Sequence, residues 1–337
     1  MAQPAPARTT SGTPEGWPPP HPAEADPSAT PPPIVFVGGT GRSGTHVLAT
    51  LLGRHPFYAD VEIEARFHAK PRGLPDLLDG EVTVQQFVRK LRRFWWYRVA
   101  AGEPLPAILP RVPLGRSVRG LHKVMPQQRF DRAVKRFERR WARDPEMASR
   151  RLFLDLLWPI AARAGKPGLV EMTTSNMQRA RTLHRLFPEA KFVHIIRDGR
   201  DSGSSKVAKR QKRKHPGDAV EGFEWWFDRI ERIERGIATV PPEKVLHLSL
   251  DAMVAGDRDQ AYGSLLAFLG IEDEPRMREY FDTQVTEQNA SRDRWRRGLS
   301  EREQAELTGR YERALEAMEQ RGFASAPVLR DAYLRLG

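Results

Sequence analysis

Residues 34–52, IVFVGGTGRSGTHVLATLL, constrain this chain more than any other stretch. Ile34 to Val37 form an unbroken apolar, β-rich run, the pattern of a strand buried on both faces. Glycines follow at Gly38, Gly39, Gly41 and Gly44, and then Val47, Leu48, Leu51 and Leu52 at helical spacing. Strand, glycine loop and helix in that order make an anion cradle. The glycines let backbone N–H groups converge, and the helix start adds unpaired donors and a positive dipole end. A turn that serves only strand–helix packing is the alternative reading. A nucleoside-triphosphate loop also carries a lysine directly after its last glycine. Here that position is Thr45, and Arg42 is the strong cation inside the loop. The loop is therefore suited to a phosphate but lacks the lysine that reaches the β- and γ-phosphates in ATP and GTP enzymes.

The length of 337 residues allows one large domain or two small ones, and the formal charge of +12 favours anionic partners. There is no cysteine, which excludes disulfides, thiolate metal sites and cysteine nucleophiles. The N-terminus has no apolar signal core and no stretch approaches a membrane span, so the expectation is a cytoplasmic protein. Residues 1–33 hold 11 prolines and almost nothing to bury. They read as a disordered leader, with a single domain from 34 to 337.

Taken in order, Glu62 and Glu64 follow the first helix two residues apart and share a face if the segment is extended. Either is placed to act as a base, and an ordinary arginine-paired glutamate is the competing reading. Residues 81–98 predict one amphipathic helix, with Val84, Phe87, Val88, Leu91, Phe94 and Trp95 inward and Arg89, Lys90, Arg92 and Arg93 outward. Residues 121–143 predict a charged surface helix, and 149–163 a core helix interrupted by Pro159. Leu169 and Val170 suggest a short strand ending at Glu171, with the polar run Thr173 to Asn176 capping the next helix.

Phe192 to Ile196 is a second buried-type strand, ending in Arg197 and a DGRD turn before a serine-rich helix start. A guanidinium fork beside helical N–H groups suits a second phosphate. His194, inside that strand, reads as a hydrogen-bonded core histidine. The basic run 206–214 would attract an acidic acceptor or simply be solvated. A helix over 218–236, a strand at 245–250, a helix over 261–269 capped by Gly270, and a helix over 300–321 complete the pattern. Strand–helix alternation with two phosphate-type loops predicts an α/β fold, a P-loop-type three-layer sandwich around a mostly parallel sheet. No zinc or calcium spacing is present, so no metal site is expected.

Together, GGTGRSGTHVL at 38–48 and FVHIIRDGRDSGSS at 192–205 resemble the PAPS-dependent sulfotransferases, nearest the tyrosylprotein, carbohydrate and bacterial branch. The similarity runs from about residue 34 to about 320. It implies transfer of a sulfonate group from 3′-phosphoadenosine-5′-phosphosulfate to a hydroxyl acceptor, tyrosyl, carbohydrate or small metabolite, leaving adenosine 3′,5′-bisphosphate. In that family the first loop holds the 5′-phosphosulfate, here Gly39, Thr40, Gly41, Arg42, Ser43, Gly44, Thr45 and His46. The second motif holds the 3′-phosphate, here Arg197 and Ser205. A tryptophan and basic residues near the C-terminus close over the cofactor, which points to Trp295, Arg296 and Arg297.

The resemblance also places the glutamate base after a His-Pro pair, here His55-Pro56, which selects Glu62 with Glu64 as fallback; His46 and His122 are the histidine alternatives. Relatives often carry lysine where this chain has Met172, so the charge on the leaving phosphate falls to Arg42 or Lys123. Leu250-Asp251 replaces a Tyr-Glu pair common near the nucleotide. The rival functions are a P-loop kinase, which the residue at 45 disfavours, and a basic nucleic-acid-binding protein, which would bind polynucleotide with strong salt dependence.

Overall fold

A computed structural model describes residues 32–99, 118–208 and 216–336. Most of the proline-rich leader and the greater part of the basic run 206–214 lie outside the described residues. Five parallel strands form the central sheet: β1 (Ile34–Gly38), β2 (Tyr58–Asp60), β3 (Gly168–Glu171), β4 (Lys191–Ile196) and β5 (Val245–Ser249). Their spatial order is β2-β3-β1-β4-β5. β1 therefore lies at the centre, with Phe36 opposite Glu171 on one side and Phe192 on the other. After β1 the chain places β2 at one edge and β3 between them, then builds outward through β4 and β5 on the other side. That reversal leaves a crevice beyond the carboxyl end of β1, where open parallel sheets bind ligands.

Alternation along β1 divides the core into two layers, as a strand with both faces covered requires. Ile34 and Phe36 pack with Phe153, Phe187 and Phe192 beneath the helix Pro145–Arg163. Val35 and Val37 pack on the other face with Leu48, Leu51 and Leu52 of the loop helix Thr45–Arg54. The result is the expected three-layer arrangement. A third apolar cluster joins Trp226 and Phe223 to Tyr311, Leu315 and Trp295 beside the sheet.

Several elements follow the sequence closely. The helix Arg258–Leu269 ends at Gly270 in the left-handed conformation, and Glu301–Gln320 opens with a Ser300–Glu303 capping box. Pro159 lies inside Pro145–Arg163 without ending it. Its missing N–H leaves the carbonyl one turn earlier without a helical donor. Two expectations are corrected. The segment 81–98 is not one helix: Val84–Lys90 passes into a π-turn, Leu91–Trp95, and then into a short strand at Arg98–Val99. The wider turn keeps Leu91 and Trp95 buried but leaves Phe94, expected inward, 44% exposed. The polar run 173–176 does not cap a helix either, because Asn176 makes no side-chain cap bond at the 3-10 turn Met177–Arg179. The side chains of Thr173, Ser175 and Asn176 are buried instead, in contacts described below.

The serine-rich helix Gly199–Val207 lies directly against the helix Ala219–Ile237, and two glycines set that contact. A Cβ added at Gly203 would sit 2.5 Å from the carbonyl carbon of Gly222. Gly203→Val should therefore force the helices apart and cost about 1–3 kcal/mol, read as a lower urea midpoint. Gly263 lies mid-helix with nothing within 4 Å of an added Cβ. Gly263→Ala should raise the midpoint by about 0.5–1 kcal/mol of stability.

Candidate active site

The loop after β1 is shaped by left-handed residues: Gly41 at φ 88°, Arg42 at φ 66° and Gly44 at φ 94°. Arg42 holds a conformation that is sparsely populated for a residue with a Cβ. Gly44 caps the following helix with no side-chain bond, so the first helical N–H groups are left for a ligand. The loop is pinned from behind, where the Gly39 N–H donates to the Thr174 carbonyl at 3.1 Å.

A cavity of about 930 Å³ opens in front of the loop. Its wall includes Gly41, Arg42, Gly44, Thr45 and His46 from the loop, Glu62 and Glu64 from the next segment, and Arg197 and Ser205 from the second motif. The two motifs, more than 150 residues apart in sequence, touch: Arg42 Nε donates to Ser205 Oγ at 3.0 Å. Arg197 is buried, and its guanidinium donates to Asp201 Oδ2 at 3.1 Å and to the Ser291 carbonyl at 2.9 Å. Partial burial, then the charges of Arg197 and Arg294, lower the pKa of Arg42. Three guanidinium groups directed to one space repel one another until an anion enters. Arg197 Nε and Ser43 Oγ are buried without a hydrogen-bond partner. Such orphaned donors fit a phosphorylated ligand.

Glu62 and Glu64 share the cavity wall because the chain after β2 keeps a two-residue alternation. Val61, Ile63 and Ala65 are buried, while Glu62, Glu64 and Arg66 face the cavity. Arg66 Nε donates to Glu64 Oε2 at 2.7 Å. Glu62 is exposed to the cavity. Lys123 lies on the same wall, whereas His122 does not: its Nδ1 pairs with the Trp96 carbonyl at 2.8 Å.

The C-terminal approach to the cavity differs from the expected one. Trp295, Arg296 and Arg297 are not on the wall; Asn289, Ser291 and Arg294 are. Ser291 and Asp293 adopt left-handed conformations that redirect the chain, and Trp295 is buried with Arg200 stacked 4.5 Å from its ring. Asp201 holds this turn, accepting from the N–H groups of Asp293 at 2.9 Å and Trp295 at 3.1 Å. Leu250 packs against Gly44, and Asp251 turns away to accept the Asp198 N–H at 2.8 Å. Burial, then Asp198, raises the pKa of Asp251 to about 7. Met172 belongs to the apolar core beside Val37 and Leu48.

Behind the loop, the Glu171 carboxylate gathers five donors. The Thr173 hydroxyl, the Asn176 amide and His68 Nε2 lie at 2.7, 2.7 and 2.8 Å. The backbone N–H groups of Thr173 and Ala65 complete the set at 2.9 and 3.3 Å. The same Asn176 amide donates to the Val37 carbonyl at 3.0 Å. One carboxylate thus ties β1, β3 and the Glu62–Arg66 segment together. The sequence marked Glu171 only as a strand end; its partners were visible as residue types, but not as partners. His194, as expected, is a buried core residue, paired through Nδ1 with His247 at 3.1 Å.

A parallel sheet with a glycine loop and two convergent cation sites defines a nucleotide-phosphate-binding α/β protein of P-loop type. The chain belongs to the sulfotransferase family, enzymes that transfer sulfonate groups, because that family's model matches residues 33–275. Among solved structures it is similar to the sulfotransferase domain of the Synechococcus PCC 7002 olefin synthase, at 17% identity and a TM-score of 0.48, covering 84% of this chain and 95% of that one. It is also similar to STF1 of Mycobacterium tuberculosis H37Rv, at 15% identity and a TM-score of 0.44 over 78% and 73% of the chains. A mouse sulfotransferase, SULT7A1, solved in complex with PAP, matches at 12% identity and a TM-score of 0.41 over 94% of both chains. No curated protein matches. Among the described residues no helix is long and apolar enough to cross a membrane, and no group of His, Asp or Glu is placed to hold a metal ion.

Burial would raise the Glu171 pKa, but His68 and the hydrogen bonds from Thr173 and Asn176 outweigh it and hold it at about 2. A carboxyl whose folded pKa is depressed contributes stability above its ordinary value and loses it as the pH falls. That contribution should be complete above pH 4.5 and disappear toward pH 2. Glu171→Ala, which orphans the buried donors, should cost about 3–5 kcal/mol at neutral pH, with a shallower loss of stability on acidification in urea titrations.

Proposed function

We propose that this protein transfers the sulfonate of 3′-phosphoadenosine-5′-phosphosulfate to a hydroxyl acceptor, with Glu62 as the base. The observation that carries this reading is the contact of Arg42 with Ser205 at 3.0 Å, which merges two anion motifs into one cavity. In it the loop N–H groups, Thr45 and Arg42 would hold the 5′ end, and Arg197 and Ser205 the 3′-phosphate. When bound, the cofactor supplies an activated sulfonate.

The chain's own residues then have three tasks. Loop N–H groups and the Thr45 hydroxyl orient the sulfonate oxygens, and Arg42 offsets charge that gathers on the leaving side. Glu62 accepts the proton of the acceptor hydroxyl as the new bond forms. Glu64, engaged by Arg66, is the less available carboxylate. Lys123 and Arg66, on the same wall, suit an acceptor that carries negative charge.

Two measurements test this. Calorimetry should show adenosine 3′,5′-bisphosphate binding far more tightly than AMP or ADP. Arg197→Ala should weaken it by about 10–100-fold, while AMP binding changes little. Equal affinity for ADP and the bisphosphate would favour a different nucleotide enzyme. Glu62→Gln should lower turnover by about 10²–10⁴-fold with bisphosphate affinity kept, and unchanged turnover would remove Glu62 from the base role.

A further inference from the structure

Lys70 belongs to no motif, yet its side chain reaches the site from behind. Its Nζ donates to Thr174 Oγ1 at 2.9 Å. The alignment is fixed by neighbours on both sides of the contact. Ser175 Oγ donates to the Ala69 carbonyl at 2.9 Å, and the Arg66 N–H donates to Thr173 Oγ1 at 3.2 Å. Thr174 itself lines the cavity beside Arg42, Thr45 and Glu62. Its carbonyl is already engaged by the Gly39 N–H at 3.1 Å. Of its side chain, the hydroxyl is the polar group that Thr174 can offer a ligand.

An ammonium has three donors and no acceptor, so in this contact the threonine oxygen must accept. The hydroxyl proton is then free to point away from Lys70. A hydroxyl that accepts from a cation is polarised, and its own O–H becomes a stronger donor. The cation is poorly solvated: burial, opposed in part by Glu64, pulls the Lys70 pKa down to about 8, with Arg66 and Arg229 lowering it further and Glu171 opposing. It is half-buried, and its contact with Thr174 is partly shielded from water.

We propose that Lys70 is a positioning residue that locks Thr174 as a directed hydroxyl donor to an oxygen of the transferred sulfonate. The inference rests on the sulfonate-transfer reading above. It assigns to Thr174 the catalytic contact and to Lys70 the orientation and strengthening of that contact. It also places a lysine charge at the site by a route other than position 172, where Met172 is committed to the core.

The test uses full-length protein, the cofactor itself and water as acceptor, so no natural acceptor is required. Sulfate release from 3′-phosphoadenosine-5′-phosphosulfate is followed in single turnovers, and adenosine 3′,5′-bisphosphate affinity is measured in parallel. Thr174→Val should slow release by about 10²-fold, and Thr174→Ser should recover most of the rate. Lys70→Met should slow wild-type protein by a comparable factor but should slow the Thr174→Val protein no further. Bisphosphate affinity should stay within about threefold throughout, because the bisphosphate lacks the sulfonate. Independent, additive losses from Lys70→Met and Thr174→Val would overturn the proposal, as would a serine variant as slow as the valine one. Should Lys70→Met not fold, Lys70→Gln takes its place in the same comparison, with the same expected and contrary results. Wild-type protein that binds no bisphosphate would overturn the sulfonate-transfer reading, and this inference with it. Bisphosphate binding with unaffected variants would overturn this inference alone.

Discussion

Like charge gathered in one space is the constraint on which this molecule turns. Arg42, Arg197 and Arg294 face a common cavity, and partial burial together with the other two guanidinium groups lowers the pKa of Arg42. Such repulsion costs folding free energy, and an anion entering the cavity would relieve it. The sheet makes the convergence possible. With β1 at the centre, the loops after β1, β3 and β4 all emerge at one edge, and each brings a polar group to the same place.

Opposite that cationic front stands a buried anion. Glu171 accepts from two stretches of chain, Ala65–His68 and Thr173–Asn176, and through the Asn176 bond to Val37 so fixes the distance between the phosphate loop and the Glu62–Arg66 segment. The front and the back of the site serve different ends. Arg197, on the cavity wall, keeps a buried Nε without a partner, while the Glu171 carboxylate behind the loop is saturated with donors. An open donor in front is available to a ligand, and a carboxylate held by five donors behind gives rigidity. Lys70 and Thr174 lie where the two regions meet.

How much of this was legible in the sequence depends on whether the cause was local. The loop after β1 and the strand-end Arg197 before a serine-rich helix start were readable because glycine positions, strand ends and helix starts act over a few residues; the choice of Ser205 came from the family resemblance. The alternation that puts Glu62 and Glu64 on one face was readable for the same reason. The turn near residue 295 was not. A tryptophan beside two arginines suggests a lid, but left-handed residues at Ser291 and Asp293 rotate Arg294 to the wall and Trp295 into the core. Likewise the helical period over 81–98 gave no warning of the π-turn that exposes Phe94. Lys70 carries no local signal at all, since its importance arises from burial against a loop about 100 residues away.

The central claim is that one cavity receives both phosphates of a single adenosine nucleotide. A crystal structure with adenosine 3′,5′-bisphosphate tests it most directly. The account predicts the 5′-phosphate in the loop at residues 39–46 and the 3′-phosphate between Arg197 and Ser205. A nucleotide whose 3′-phosphate sits elsewhere, with Arg197 still engaged only by Asp201 and Ser291, would contradict it.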